Sequence, residues 1–147
     1  LAEEDLPVSC VNHFIDEDDV RDILAHERVN VITDGLFGGN PHPRVYGAFA
    51  KVLGTYVRDE DLVSVEEAVR MMTSLPARSM GLDSKGVLRP GLDADLTVFD
   101  PAVVGSPATY ENPTQYADGI PHVLVNGEFV VRDGETTGAT PGDALRA

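Results

Sequence analysis

A single cysteine, Cys10, stands in the 147-residue chain. It cannot close an internal disulfide, so a reducing cytoplasmic compartment is the simplest expectation. No apolar run approaches the ~20 residues that a membrane-spanning helix needs, and no signal peptide precedes the first structured-looking stretch. Cations are scarce: 11 Lys and Arg face 25 Asp and Glu, a net charge of −14. Such a balance repels phosphate backbones and anionic lipid, so neither nucleic acid nor a membrane is an expected partner. The acidity otherwise reads as solubility. Also missing are HxH, HExxH, paired cysteines, a GxSxG elbow, a P-loop, GxGxxG and any internal repeat. The chain opens on Leu1, not Met, as expected of a fragment, a processed product or a truncated gene product.

What is present is ordinary globular material, 42% hydrophobic and 24% charged, at the length of one domain. Residues 7–14 (PVSCVNHF) and 29–33 (VNVIT) carry strand composition. Between them, Asp16, Glu17, Asp18 and Asp19 precede Val20, Ile23 and Leu24, the pattern of a short amphipathic helix ending near His26. Strand, helix and strand make a βα unit of a parallel sheet, which cannot bury itself without further strands. A Gly/Pro-rich loop over 36–44 leads to a helical face of Tyr46, Phe49, Leu53 and Tyr56. Ser64 and Glu67 form a capping box for a helix over 65–75, with Ala68, Val69, Met71 and Met72 on its apolar side. One more helical turn opens at Pro76 and stops at Gly81. From Gly86 onward short apolar segments alternate with Gly and Pro, and Asn126-Gly127 between apolar runs marks a hairpin. The expected division is therefore α/β over 1–85 and β over 86–147.

Few residues are placed for chemistry. Asp34 follows a strand of buried type and precedes Gly35. A carboxylate at a strand's C-terminal end can ligate a metal or exchange a proton with water, and Asp-Gly is equally good turn chemistry. Arg44 closes the stiff stretch Pro41-His42-Pro43-Arg44. It can anchor a substrate carboxylate or sit in a surface Arg–Asp pair. His42 can serve a substrate, a metal or the loop's own hydrogen bonds. His13, His26, His122 and Cys10 read as structural.

Residues 86–100 (GVLRPGLDADLTVFD) and the later Val123-Leu124-Val125-Asn126-Gly127 resemble the C-terminal signature of amidohydrolase-superfamily enzymes. Thr33-Asp34-Gly35, Pro41-His42-Pro43-Arg44, Phe49 and Leu53-Gly54, with the stretch 14–26 before them, resemble the N-acyl-D-amino-acid deacylase (D-aminoacylase) branch. The resemblance covers residues 8–146. It implies the last strand–helix–strand of a TIM-like (β/α)₈ barrel followed by part of a small β-sandwich. It implies a zinc-dependent hydrolase converting a small-molecule N-acyl-D-amino acid to a carboxylate and a D-amino acid. Asp34 matches the family's general acid/base, and Arg44 matches an Arg on the substrate's carboxylate side. The family's zinc ligands have no counterparts here, Cys10 falling on a different strand. Asp34 is then the sole candidate ligand, zinc belongs to the complete enzyme, and a homo-oligomer or a missing N-terminal part is the expected partner. Two further expectations stand beside this one: a non-catalytic, oligomerising domain, and a related amidohydrolase acting on cyclic amides.

Overall fold

Asp16 starts the first helix, α1 (Glu17–Leu24), in a computed structural model that describes residues 14–145. Its carboxylate accepts the Asp18 N–H at 2.8 Å, and Glu17, Asp18 and Asp19 fill the first turn. Negative charge there meets the positive end of the helix dipole. The expected helix is thus present, and His26 accepts the Arg28 N–H on Nδ1 just beyond it. The strand expected over 7–14, with Cys10 and His13, lies outside the described residues apart from Phe14, which is 76% exposed.

The second expected strand has no ladder among the described residues, and its expected partner over 7–14 lies outside them apart from Phe14. Residues 29–33 are irregular and pair with no strand among the described residues. A strand exists through its ladder bonds, and β-branched composition supplies propensity without a partner. One backbone group here, the Val31 N–H, bonds to the Met71 carbonyl at 3.2 Å instead. Val29 and Val31 pack against the helical core while Ile32 is 70% exposed.

Helix α2 (Arg44–Lys51) runs directly into a π-helical segment (Val52–Asp59). The Glu60 N–H reaches back five residues to the Thr55 carbonyl. The expected apolar face is only partly buried. Leu53 and Tyr56, in the π-helical segment, are buried, whereas Phe49, in α2, is 42% exposed. Two glycines on this helix allow close approach of the chain near Val104. A Cβ on Gly54 would meet the Val104 carbonyl oxygen at 2.7 Å, and one on Gly47 would meet Ser106 Oγ at 1.8 Å.

Ser64 caps α3 (Val65–Met72), its hydroxyl accepting the Glu67 N–H at 3.2 Å. The helix stops earlier than its pattern predicts. Thr73 leaves helical geometry (φ −131, ψ −84), and its hydroxyl donates to the Val69 carbonyl at 2.6 Å, a back-bond of the kind that bends helices. A short α4 (Ser74–Ser79) follows. The core gathers around Ala68, Met71 and Val104, none more than 1% exposed.

The rest of the chain holds one antiparallel sheet in the order β1 (Leu96–Val98), β2 (His122–Val125), β3 (Glu128–Arg132), β4 (Glu135–Thr136). Asn126 and Gly127 both have positive φ, 49° and 80°, as the expected hairpin turn requires. The described residues supply this single sheet layer, whereas a sandwich needs two. The two signature stretches are bonded to each other. Asp95 accepts the Asn126 N–H at 2.8 Å, the Ala94 carbonyl accepts the Gly127 N–H at 2.9 Å, and Lys85 Nζ lies 2.6 Å from Asp95 and 3.0 Å from Asp93. The Asn126 N–H, and after it the Lys85 ammonium, hold the Asp95 carboxyl below the usual carboxylate range.

Candidate active site

Asp34 follows the irregular stretch 29–33 in a left-handed conformation, φ 44°. Aspartate enters this region more readily than most residues, and Gly35 continues the turn. The chain then loops through Gly38, Gly39 and Asn40 and returns at Arg44, the first residue of α2. Arg44 Nη2 comes to 2.8 Å from Asp34 Oδ2. The Asp34 and Arg44 side chains are 71% and 42% exposed. An ion pair so open contributes about 0–1 kcal/mol to stability. Its interest is therefore geometric: the two candidate residues meet.

The head of α2 explains how Arg44 is held. Pro43 occupies the N-cap position and has no side-chain acceptor to offer. His42 takes over, its Nδ1 accepting the Arg44 N–H at 3.1 Å, which satisfies one of the orphan donors of a helix start. The ring's other nitrogen, Nε2, lies 3.2 Å from the Tyr110 hydroxyl. The His42 and Tyr110 rings also meet edge to face, 5.0 Å between centroids. The Tyr110 carbonyl accepts from Asn40 Nδ2 at 3.4 Å. Tyr110 thus touches the Asp34–Arg44 loop at two points. A cleft of about 550 Å³ opens beside this cluster, lined by Arg44, His42, Tyr110, Lys51 and Glu111 among others.

Among the described residues, His26 and His122 stand elsewhere. His122 accepts the Asp133 N–H on Nδ1 and packs against Phe129 in the sheet, in keeping with a structural role. Tyr110 escapes sequence reasoning, because it lies 68 residues from His42 in an irregular segment with no motif around it. Chemically, the arrangement offers a carboxylate for proton exchange and a guanidinium for an anion. Arg44 Nη2 lies 2.8 Å from Asp34 Oδ2, and the guanidinium fork carries five N–H donors, enough in number to bind a ligand carboxylate as well. Among the described residues, no three His, Cys, Asp or Glu side chains gather as a metal set.

Comparison with known proteins bears on the family. The amidohydrolase family model matches residues 13–131. The N-acyl-D-aspartate deacylase of Alcaligenes xylosoxydans xylosoxydans is 44% identical, the match covering 95% of this chain and 29% of that protein. A D-aminoacylase structure with a binuclear metal centre is 48% identical with a TM-score of 0.82, over 85% of this chain and 27% of that one. The N-acyl-D-glutamate deacylase of Bordetella bronchiseptica, solved with zinc and a phosphonate mimic of the tetrahedral intermediate, is 45% identical with a TM-score of 0.77, over 85% of this chain and 28% of that one. The chain thus spans under a third of the length of these relatives. Signature stretches, fold and family match converge, and the chain belongs to the amidohydrolase family.

Proposed function

We propose that this chain supplies the proton-transfer carboxylate and the substrate anchor of an N-acyl-D-amino-acid deacylase. The observation that carries the reading is the 2.8 Å meeting of Asp34, in a left-handed turn, with Arg44 at the head of α2. In the reaction, water attacks the acyl carbonyl, a C–O bond forms and the C–N bond breaks. Asp34 takes a proton from the attacking water and passes it to the departing amine nitrogen. Arg44 pairs with the amino acid's α-carboxylate and fixes the acyl carbon relative to Asp34. His42 acts on the site through its contact with the Arg44 backbone. Zinc accompanies the Bordetella relative. The described residues here do not fit a metal centre, since Asp34 stands without two companion ligands.

In this reading residues 1–85 complete a (β/α)₈ barrel and residues 86–147 contribute to a small β-sandwich. The segment over 29–37, which has no ladder partner among the described residues, and its exposed Ile32, Leu36 and Phe37 support a position beside further strands. The same surface favours a second reading, a domain whose role is association. Initial rates on N-acetyl-D-amino acids, their L-enantiomers and cyclic amides separate the cases, measured on the metal-loaded protein containing this chain. Hydrolysis of the D series alone is the expected result. Turnover confined to cyclic amides, or none at all, would refute the deacylase assignment.

A further inference from the structure

We infer that Tyr110 and His42 are positioning residues for Arg44, linking the β-containing part of the chain to the grip on the substrate carboxylate; this rests on the deacylase reading. Arg44 has a long side chain at a helix start whose N-cap, Pro43, offers no side-chain hydrogen bond. Its backbone is held by His42 Nδ1 at 3.1 Å. A nitrogen that accepts carries no proton, so the neutral ring bears its proton on Nε2 and donates it to the Tyr110 hydroxyl at 3.2 Å. The imidazole thereby forms a rigid strut with a backbone donor at one end and a phenol at the other. Tyr110 is itself tied to the same loop through its carbonyl and Asn40, and its ring packs edge to face on the imidazole. Both ends of the strut line the cleft that Arg44 lines. A planar guanidinium binds a carboxylate well only in the right orientation. A strut on its backbone therefore acts on substrate affinity more than on the chemical step.

Two conservative variants isolate the strut. Tyr110→Phe keeps the ring packing and removes the hydroxyl. His42→Asn keeps an acceptor close to the Nδ1 position and removes the reach to Tyr110. Steady-state kinetics on the metal-loaded protein containing this chain, with an N-acetyl-D-amino acid, should show KM raised about three- to tenfold in both, the size of one hydrogen bond. The expected kcat stays within about twofold. His42→Ala, which also strips the Arg44 N–H of its acceptor, should raise KM further. The decisive comparison is Tyr110→Phe in an Arg44→Ala background. There its effect should vanish, because residues acting through one group are not additive. A KM unchanged by Tyr110→Phe in the wild type, or raised by the same factor in both backgrounds, would overturn the inference and leave the deacylase reading standing. An Arg44→Ala protein with unaltered KM would instead remove the anchor itself, and the strut's purpose with it.

Discussion

Asp34 concentrates the proposed chemistry in one exposed carboxylate. Asp34→Asn keeps size and turn propensity and removes the capacity to carry a proton, so kcat should fall about 10²- to 10⁴-fold. The melting temperature should barely move, since an ion pair this exposed contributes little. Stopped assays and a thermal melt on the same preparation check both halves. Gly54 presents the opposite case, a residue whose importance is purely steric. Its missing side chain leaves room for the Val104 carbonyl, and a methyl there would stand 2.7 Å from that oxygen. Backbone must shift to admit it, so Gly54→Ala should destabilise by about 1–3 kcal/mol, read as a lowered urea midpoint at unchanged m-value. The Asp34 neighbourhood was partly legible in the sequence, because Asp-Gly and His-Pro-Arg are local features. Tyr110 was not, because nothing local in its segment distinguishes it.

Elements join through short polar clips. The clearest ties the stretch around Asp95 to the Asn126-Gly127 turn, with Lys85 between Asp93 and Asp95. Asp95 sits below the usual carboxylate range because of the Asn126 N–H first and the Lys85 ammonium second. A carboxylate whose folded value lies below its unfolded one stabilises the fold above the unfolded value, near pH ~4. That contribution is lost as pH falls through the folded value. Asp93 is lowered too, by the Ser84 hydroxyl and then by Lys85, so the acid limb has at least two sources. Urea midpoints taken downward from about pH 4.5 should fall steadily, and less steeply in Asp95→Asn. An identical slope in wild type and variant would show that the clip is not part of the acid response. Helices α1 and α3 were largely predictable at this scale, through the acidic first turn beginning at Asp16 and the Ser64 cap, which work within a few residues of themselves. The π-helical segment and the break at Thr73 were not, since both depend on what packs beside them.

For the whole molecule, the surface is the informative feature. Phe14, Ile15, Ile32, Leu36 and Phe37 are between 67% and 83% exposed, and the segment over 29–37 has no ladder partner among the described residues. Clustered exposed apolar groups promote association. Sedimentation velocity on the 147-residue chain should therefore show concentration-dependent association despite a charge of −14. Substituting Ile32 and Phe37 with Lys should reduce it. A monomer at every concentration tested would count against the packing role proposed for this face.

The sequence by itself determined the family, the capped helices, the Asn126-Gly127 hairpin and the identity of Asp34 and Arg44 as candidates. Each rests on a pattern readable within a few residues or on two short stretches in fixed order. Only the tertiary structure decided that Asp34 and Arg44 meet at 2.8 Å, that Tyr110 reaches His42 across 68 residues, and that residues 29–33 pair with no strand among the described residues. Such relations depend on which surfaces come together in space. Strand pairing in particular is a property of two segments, and no single segment's composition contains it.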